Sequence, residues 1–535
     1  MQRRLSLIPQ PQHLVDAGGE LDLATLGAIV AVDSETTGLA WLLSDLLARG
    51  TGLRLAVQSD FEGPAVRIRL EGPRPEDLTC ESEAYRLRID ADGVDLVAAH
   101  PAGIARGLAT FRQLLPADAL RAAPAIVPCV AIDDVPRLRW RGVHIDIARH
   151  FQPKEFVLAM IDRAWLHRLN VVHLHLTDDQ GWRMEIPSRP KLAEIASWRS
   201  ETVVGHALDT ETFDGTPHGG HYTLADLREI VAYASERHVM VIPEINLPGH
   251  TRAVLAAYPE LGTGHGKPVA TTFGVFEEVL EPTEESLAFA RDVFDVVVQV
   301  FDAPFVHIGG DEVPTVQWES SPVAAELMKR EGIADVRGVQ TWFTRAFTEY
   351  VTSLDRRVIG WDEILDGGAP TEAVVSVWRN EAYVKKAVEA GHEVIVAPEP
   401  YVYFDHYEGE SPDEPLCIHG LTTVEKVAAW EPVPAGVDPD SVLGAQCQLW
   451  SEYMPDARDV EYRAFPRLAV FADVLWAAPE TREAAPVLER LEGHLPRLEA
   501  LGIEYRPLEG PEPWQTGGTG ARKRFDRPFQ EHQAE

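Results

Sequence analysis

The alternation of apolar and polar positions divides this chain into two regimes. Over residues 1–133, segments such as GAIVAVD, AVRIRLE and AYRLRIDADGVDLVAA alternate in the period-two manner of half-buried strands. The stretch AGIARGLATFRQLL then shows the three- and four-residue spacing of a helix, so a small α+β domain is predicted. After the proline-bearing connection APAIVPCVAIDDVPRLRW the rhythm changes. Apolar runs (RGVHIDIAR, NVVHLHLTDD, VMVIPEINLPGH, FVHIGGDE, RVIGWDEI, VVSVWRN, EVIVAPEPYVYFD and VLGAQCQLWSE) now alternate with amphipathic stretches such as EFVLAMIDRAWLHRL and LADLREIVAYASER. That is the habit of a parallel sheet covered by helices. Eight such runs predict an α/β architecture, a (β/α)8 barrel of the TIM type over residues 134–508, following the N-terminal domain. Long loops are expected, because a typical barrel needs only about 250 residues. Residues 509–535, rich in Gly, Pro and charge, are read as a mobile tail.

Composition narrows the partners. The 535 residues are 45% hydrophobic and 25% charged, the balance of a folded globular protein. Forty-nine basic against eighty-four acidic residues leave a formal net charge of −35, which repels phosphate backbones and anionic lipid and so predicts neither a nucleic-acid nor a membrane partner. The start MQRRLSLIPQPQHL lacks the apolar core of a signal peptide, and no apolar run of about 18 residues follows, so a cytoplasmic location is expected. Cys80, Cys129, Cys417 and Cys447 are widely spaced and form no C-x-x-C pair, which predicts reduced structural thiols and no zinc site. No metal or cofactor is expected, and nothing in the sequence fixes the oligomeric state.

In a barrel of this kind the site lies where the strands end at their C-termini. The polar residues closing the eight runs are Asp146 and Arg149, Asp178 and Asp179, Glu244 with Asn246 and His250, Asp311 and Glu312, Asp362 and Glu363, Trp378, Tyr403 and Asp405, and Trp450 with Glu452. Trp361 directly precedes Asp362 at the end of the same run. Carboxylates mixed with indoles and a phenol suit a sugar, whose ring offers apolar faces to aromatics and hydroxyls to charged groups. One segment poses a geometric question. In FVHIGGDEVPTVQW, residues 305–318, the acids Asp311 and Glu312 are adjacent, yet neighbours on a strand point to opposite faces. Gly309 and Gly310 allow the strand to end or bulge first, so that both acids can serve one site.

The residues PRLRWRGVHIDIARHFQP, LHLTDDQGWRMEI, PEINLPGHT, HIGGDEV, GWDEIL, VWRN, YFD and QLWSE, in that order, resemble the β-N-acetylhexosaminidases of glycoside hydrolase family 20 over nearly the whole chain. The resemblance implies an exo-acting retaining hydrolase of terminal non-reducing N-acetylglucosamine or N-acetylgalactosamine, carried on an oligosaccharide or glycoconjugate. Families using substrate assistance need no enzymic nucleophile, because the sugar's own 2-acetamido oxygen attacks the anomeric carbon to give an oxazolinium ion. By this resemblance Glu312 is the general acid and then base, and Asp311 receives the acetamido N–H. Tyr403 then donates to the acetamido oxygen, and Trp361, Trp378 and Trp450 wall the pocket. Arg149, Glu452 and Asp405 hold sugar hydroxyls, and Asp178 with His250 stands behind Glu312. The chain departs from the family at Asn246, where Asp is usual; this puts the surroundings of the catalytic pair and the pH optimum in question.

Three other readings compete. His173 and His175 share one strand face and invite a metal-dependent hydrolase, but no further histidines closing strands five and six complete a site, so satisfied core histidines are the expectation. A two-carboxylate glycosidase takes Asp405 or Glu399 as nucleophile. A non-catalytic sugar-binding barrel keeps the pocket without turnover.

Overall fold

A computed structural model describes residues 5–117, 125–263 and 266–516 of the chain. In the N-terminal region seven strands form one mixed sheet: β1 (His13–Asp22), β2 (Ala28–Ala31), β3 (Ala56–Gln58), β4 (Ala65–Leu70), β5 (Tyr85–Asp90), β6 (Gly93–Ala98) and β7 (Ile126–Asp134), in spatial order β1-β7-β5-β6-β4-β2-β3. Two helices accompany them, α1 (Thr37–Thr51) and α2 (Pro101–Leu114). The sequence pattern found β2, β4, β5, β6 and α2. It treated β7 as connection, whereas β7 pairs antiparallel with both β1 and β5. Pro128 misled the reading. A proline removes a ladder donor, and here it lies beside the register shift between Asp16 and Glu20, where the pairing is already interrupted.

All fourteen residues of α2 are buried, because the helix lies between this sheet and the barrel. Its Arg106 donates from Nε to Glu83 Oε1 at 2.6 Å, and Glu83 also meets Arg141 at 2.7 Å and Asn170 Nδ2 at 3.2 Å at the start of the barrel. Arg168 meets Asp134 at 2.6 Å, and the Trp476 indole donates to the same carboxylate at 3.0 Å. Buried charges of this kind persist only when paired and hydrogen-bonded.

The predicted barrel is closed. Its strands are β8 (Trp140–Asp146), β9 (Val171–His175), β10 (Met240–Glu244), β11 (Phe305–His307), β12 (Arg357–Trp361), β13 (Val374–Val377), β14 (Val394–Val396) and β15 (Val442–Leu449), all parallel, with β15 returning to β8. Helices α3 (Lys154–Leu166), α4 (Leu224–Ser235), α5 (Glu284–Val300) and α6 (Gly338–Ser353) cross over the early strands as expected. Between β12 and β13 the expected helix is replaced by a short 3-10 turn, Asp362–Gly367. Long loops, residues 176–223, 245–283 and 397–441, carry the excess length over the site.

Period-two alternation layers the barrel interior. Its floor is apolar, formed by Trp140, Val171, Ile242, Phe305, Ile359, Val374, Ile395 and Leu443. Two residues further along β9, β10, β11 and β13 the layer turns polar, with His173, Glu244, His307 and Ser376 buried, and His144 of β8, four residues beyond Trp140, is buried with them. No helix among the described residues is long and apolar enough to cross a membrane, and the four cysteines are free thiols. The tail read over residues 509–535 lies outside the described residues beyond Thr516.

Candidate active site

The two adjacent acids share one site because the chain leaves strand geometry before reaching them. Strand β11 ends at His307, and Gly309, Gly310 and Glu312 adopt φ of +71°, +91° and +48°. A left-handed glutamate is strained, and such strain clusters at functional sites. Gly309 is required for a second reason. A Cβ there would lie 1.9 Å from Asn246 Oδ1 and 2.7 Å from Asn246 Cα. The room it leaves lets Asn246 reach under the turn, where its Oδ1 accepts from Gly310 N at 3.2 Å and its Nδ2 donates to Asp311 Oδ1 at 2.8 Å. Gln340 holds the Gly310 carbonyl from the other side at 2.7 Å.

Asp311 is 8% exposed, and burial raises its carboxyl to about 6, with Glu244 and Glu312 adding to the rise and His250 opposing it. His250 Nε2 faces Glu312 Oε2 at 3.5 Å and Asp311 Oδ2 at 3.7 Å. Its Nδ1 meets Asp178 Oδ1 at 3.2 Å and Asp179 Oδ2 at 3.1 Å. Burial opposes charge on this imidazole, but Asp178, Asp179 and Asp311 together outweigh it and hold the ring well above its ordinary range. Burial likewise opposes charge on Asp178, which Arg149 at 3.0 Å and His250 keep well below its ordinary range. Behind Asp178 stands His175 at 2.9 Å, and behind that Glu244 at 2.7 Å from His175 Nδ1. Carboxylates and imidazoles therefore alternate from the barrel interior to Glu312.

Asp311 and Glu312 open into a cavity of about 230 Å³. Seven more of the expected residues line it: Arg149, Trp361, Trp378, Tyr403, Asp405, Trp450 and Glu452. Each indole is fixed from behind. Trp361 Nε1 donates to Glu244 Oε1 at 2.8 Å, and Trp378 Nε1 to Glu363 at 3.1 Å. The Arg149 guanidinium stacks 4.8 Å from the Trp450 ring. The Trp450 and Tyr403 rings lie 6.4 Å apart between centroids, and both line the cavity. Burial, with Asp405 beside it, holds that phenol well above its ordinary range. The remaining acids are disposed toward the neutral form: burial and Glu452 push Asp405 well up, and burial pushes Glu452 to about 7 against the pull of Arg149.

A family model described as glycosyl hydrolase family 20, catalytic domain, matches residues 138–479, and the model for domain 2 of the same family matches residues 4–135. The chain belongs to glycosyl hydrolase family 20. A β-hexosaminidase of Porphyromonas gingivalis is 35% identical over 528 residues, 96% of this chain and 66% of the relative, so the chain spans about two thirds of that relative's length. A family 20 β-N-acetylhexosaminidase of Streptomyces coelicolor A3(2) superposes with a TM-score of 0.82 at 32% identity, covering 95% of this chain and 98% of its own. A family 20 exo-β-N-acetylglucosaminidase of Vibrio harveyi, solved with N-acetylglucosamine, superposes with a TM-score of 0.84 at 29% identity, covering 94% and 78%. As a family 20 member the protein is a glycoside hydrolase.

Within this family 20 barrel, two residues read as closing the rim stand elsewhere. Glu244 is wholly buried among His173, His175 and Trp361, because alternation along β10 turns it into the barrel. Asp362 is wholly buried against Arg379, which donates from Nε at 2.5 Å. Histidines 173 and 175 are core residues as expected, held by Gln446, Glu244 and Asp178. Sequence reasoning assigned no part to Gln340 or to Glu363 as the anchor of Trp378. Glu363 closes a strand beside the GW pair and was visible as a rim acid; Gln340 carries no local signal.

Proposed function

We propose that the protein is an exo-acting retaining β-N-acetylhexosaminidase that releases terminal N-acetylglucosamine or N-acetylgalactosamine with the sugar's own acetamide as nucleophile. The observation that carries the reading is the placement of Asp311 and Glu312, adjacent in sequence, on one small cavity under three indoles and the Tyr403 hydroxyl. A cavity of about 230 Å³ suits one pyranose rather than a threaded chain, which favours action at a chain end.

In this reading Glu312 protonates the departing glycosidic oxygen as the C1–O bond breaks. At the same time the acetamido carbonyl oxygen bonds to C1 from the opposite face. Asp311, ionised and oriented by Asn246, accepts the acetamido N–H and stabilises the positive charge that develops as the oxazolinium ring closes. Tyr403 donates to the acetamido oxygen and aims it at C1. Glu312, now a carboxylate, takes a proton from the incoming water, which opens the ring at C1 with overall retention. His250 faces both acids and, through Asp178, accommodates the change of charge on Glu312. Arg149, Asp405 and Glu452 hold hydroxyls, the two acids being able to donate as well as accept in the neutral forms that burial favours. The same bias makes Asp405 a poor nucleophile, which weighs against that form of the two-carboxylate alternative.

Comparison of an aryl N-acetyl-β-glucosaminide with the matching aryl β-glucoside tests the mechanism. The first is expected to turn over and the second to lose several orders of magnitude in kcat/KM, since it carries no acetamide. Equal rates on the two would overturn substrate assistance.

A further inference from the structure

The cavity wall beyond Tyr403 carries three side chains that the sugar chemistry does not use: Glu399, His406 and His419. Glu399 and His406 are buried, and His419 is partly open to the cavity. Thr422 Oγ1 lies 3.2 Å from both Pro400 O and His406 Nδ1. When the hydroxyl donates to Pro400 it accepts from Nδ1, and in that tautomer Nε2 presents a lone pair. That lone pair stands 3.0 Å from Glu399 Oε1, another acceptor, and no hydrogen bond of acceptable geometry joins them.

A proton or a metal ion can join two acceptors at that separation, and a third ligand atom beside them points to the metal. His419 Nδ1 lies 3.7 Å from the same carboxylate oxygen, and one ligand atom from each of the three residues lies within 4.8 Å of the others. Tetrahedral zinc, with bonds of about 2.0–2.1 Å, separates its ligand atoms by roughly 3.3 Å, a value that the two observed distances bracket. A metal also explains the misaligned contact. It sits on the imidazole lone pair and places the second ligand off that axis, where a hydrogen bond would need the oxygen on it.

We propose that Glu399, His406 and His419 form a binding site for a divalent transition-metal ion of the zinc class, with its fourth position open to the cavity. Two histidines and a carboxylate with an open position are a common zinc donor set. Thr422, bonded to the far nitrogen of His406, orients that ligand in the way outer partners of metal-bound histidines do. The ion takes no part in the hydrolysis described above. It ties the segment bearing Glu399 and His406 to the loop bearing His419.

The test is a calorimetric titration of zinc chloride into full-length protein stripped with a chelator and dialysed, with the melting temperature followed in parallel. One saturable ion per chain is expected, together with a rise in melting temperature on loading, because an ion that binds only the folded state stabilises it. His419→Ala should weaken the affinity at least about tenfold and Thr422→Val by roughly 10- to 100-fold, with the circular dichroism of both variants unchanged. Absence of saturable zinc uptake by the parent protein, or an affinity that neither substitution changes, would overturn the site. Neither result bears on the acetamide mechanism, which the glycoside comparison tests separately.

Discussion

Asn246 decides what Asp311 can do. Its amide donates to Asp311 Oδ1 at 2.8 Å, so it favours the ionised carboxyl that burial otherwise penalises. Burial wins in part, leaving Asp311 at about 6. Since the proposed role needs the ionised form, kcat/KM should fall as pH drops through about 6, the acid limb of a bell whose basic limb is the loss of the Glu312 proton. Asn246→Asp replaces the donor with a second carboxyl facing the first. Like charges then oppose ionisation, and the acid limb of kcat/KM should move up by about one pH unit or more. A limb that stays in place in the variant would show that Asn246 does not set this titration. Gly309 belongs to the same device. Gly309→Ala forces a left-handed alanine, costing about 1–2 kcal/mol, and drives a methyl into Asn246, so kcat should fall at least about tenfold with a folded protein by dichroism. A parent-like rate would leave the glycine with packing alone. Much of this was legible: the acids, the glycines and the unusual asparagine stand out in the chain. The contact between Asn246 and Asp311 was not, because 65 residues separate them and only closure of the barrel brings β10 beside β11.

At the scale of elements, the eight barrel strands and the early crossover helices followed from apolar runs and helical spacing, whereas β1, β7 and α1 escaped. Strand β1 has only one buried position among its ten residues, so no apolar alternation marks it. Strand β7 was concealed by Pro128 beside a register shift. What joins the sheet to the barrel was also invisible, because Glu83 looks like one of several acids in an ordinary polar segment. In the fold it lies between Arg106 of α2 and Arg141 of β8, and burial, which opposes its charge, is outweighed by these two guanidiniums, so its carboxyl is held below the usual range. Glu83→Ala strands both cations in the interior. Loss of one partner of a buried ion pair costs about 3–5 kcal/mol, so the urea midpoint should drop clearly while kcat, measured well below that midpoint, stays near the parent value. An unchanged midpoint would mean that Arg106 and Arg141 find other partners.

For the whole molecule, the net charge of −35 and the buried acids act in the same direction with pH. Burial raises Asp311 to about 6 and Glu408 and Glu452 to about 7, against about 4 for carboxyls in an unfolded chain. A carboxyl raised by folding contributes stability that is full below its unfolded value and is lost as pH climbs through its folded value. These three therefore weaken the fold progressively up to about pH 7. Asp178, Glu244 and Glu83 are shifted the other way, and their contribution is present above the unfolded value and lost as pH falls below it. His150, His167, His218, His238 and His307, held at about 3 to 4 by burial against about 6.5 unfolded, also contribute stability that is lost as pH falls below about 6.5, so the melting temperature should be highest between about pH 6.5 and 7 and decline toward pH 8 as the raised acids ionise and like charges accumulate. Added salt should recover part of the loss at pH 8 and little at pH 5, because screening relieves surface repulsion and leaves buried groups nearly untouched. Thermal melts at constant ionic strength across this range check both statements, and a melting temperature that is flat or rising from pH 7 to pH 8 would show that the buried acids are solvated well enough to ionise without cost.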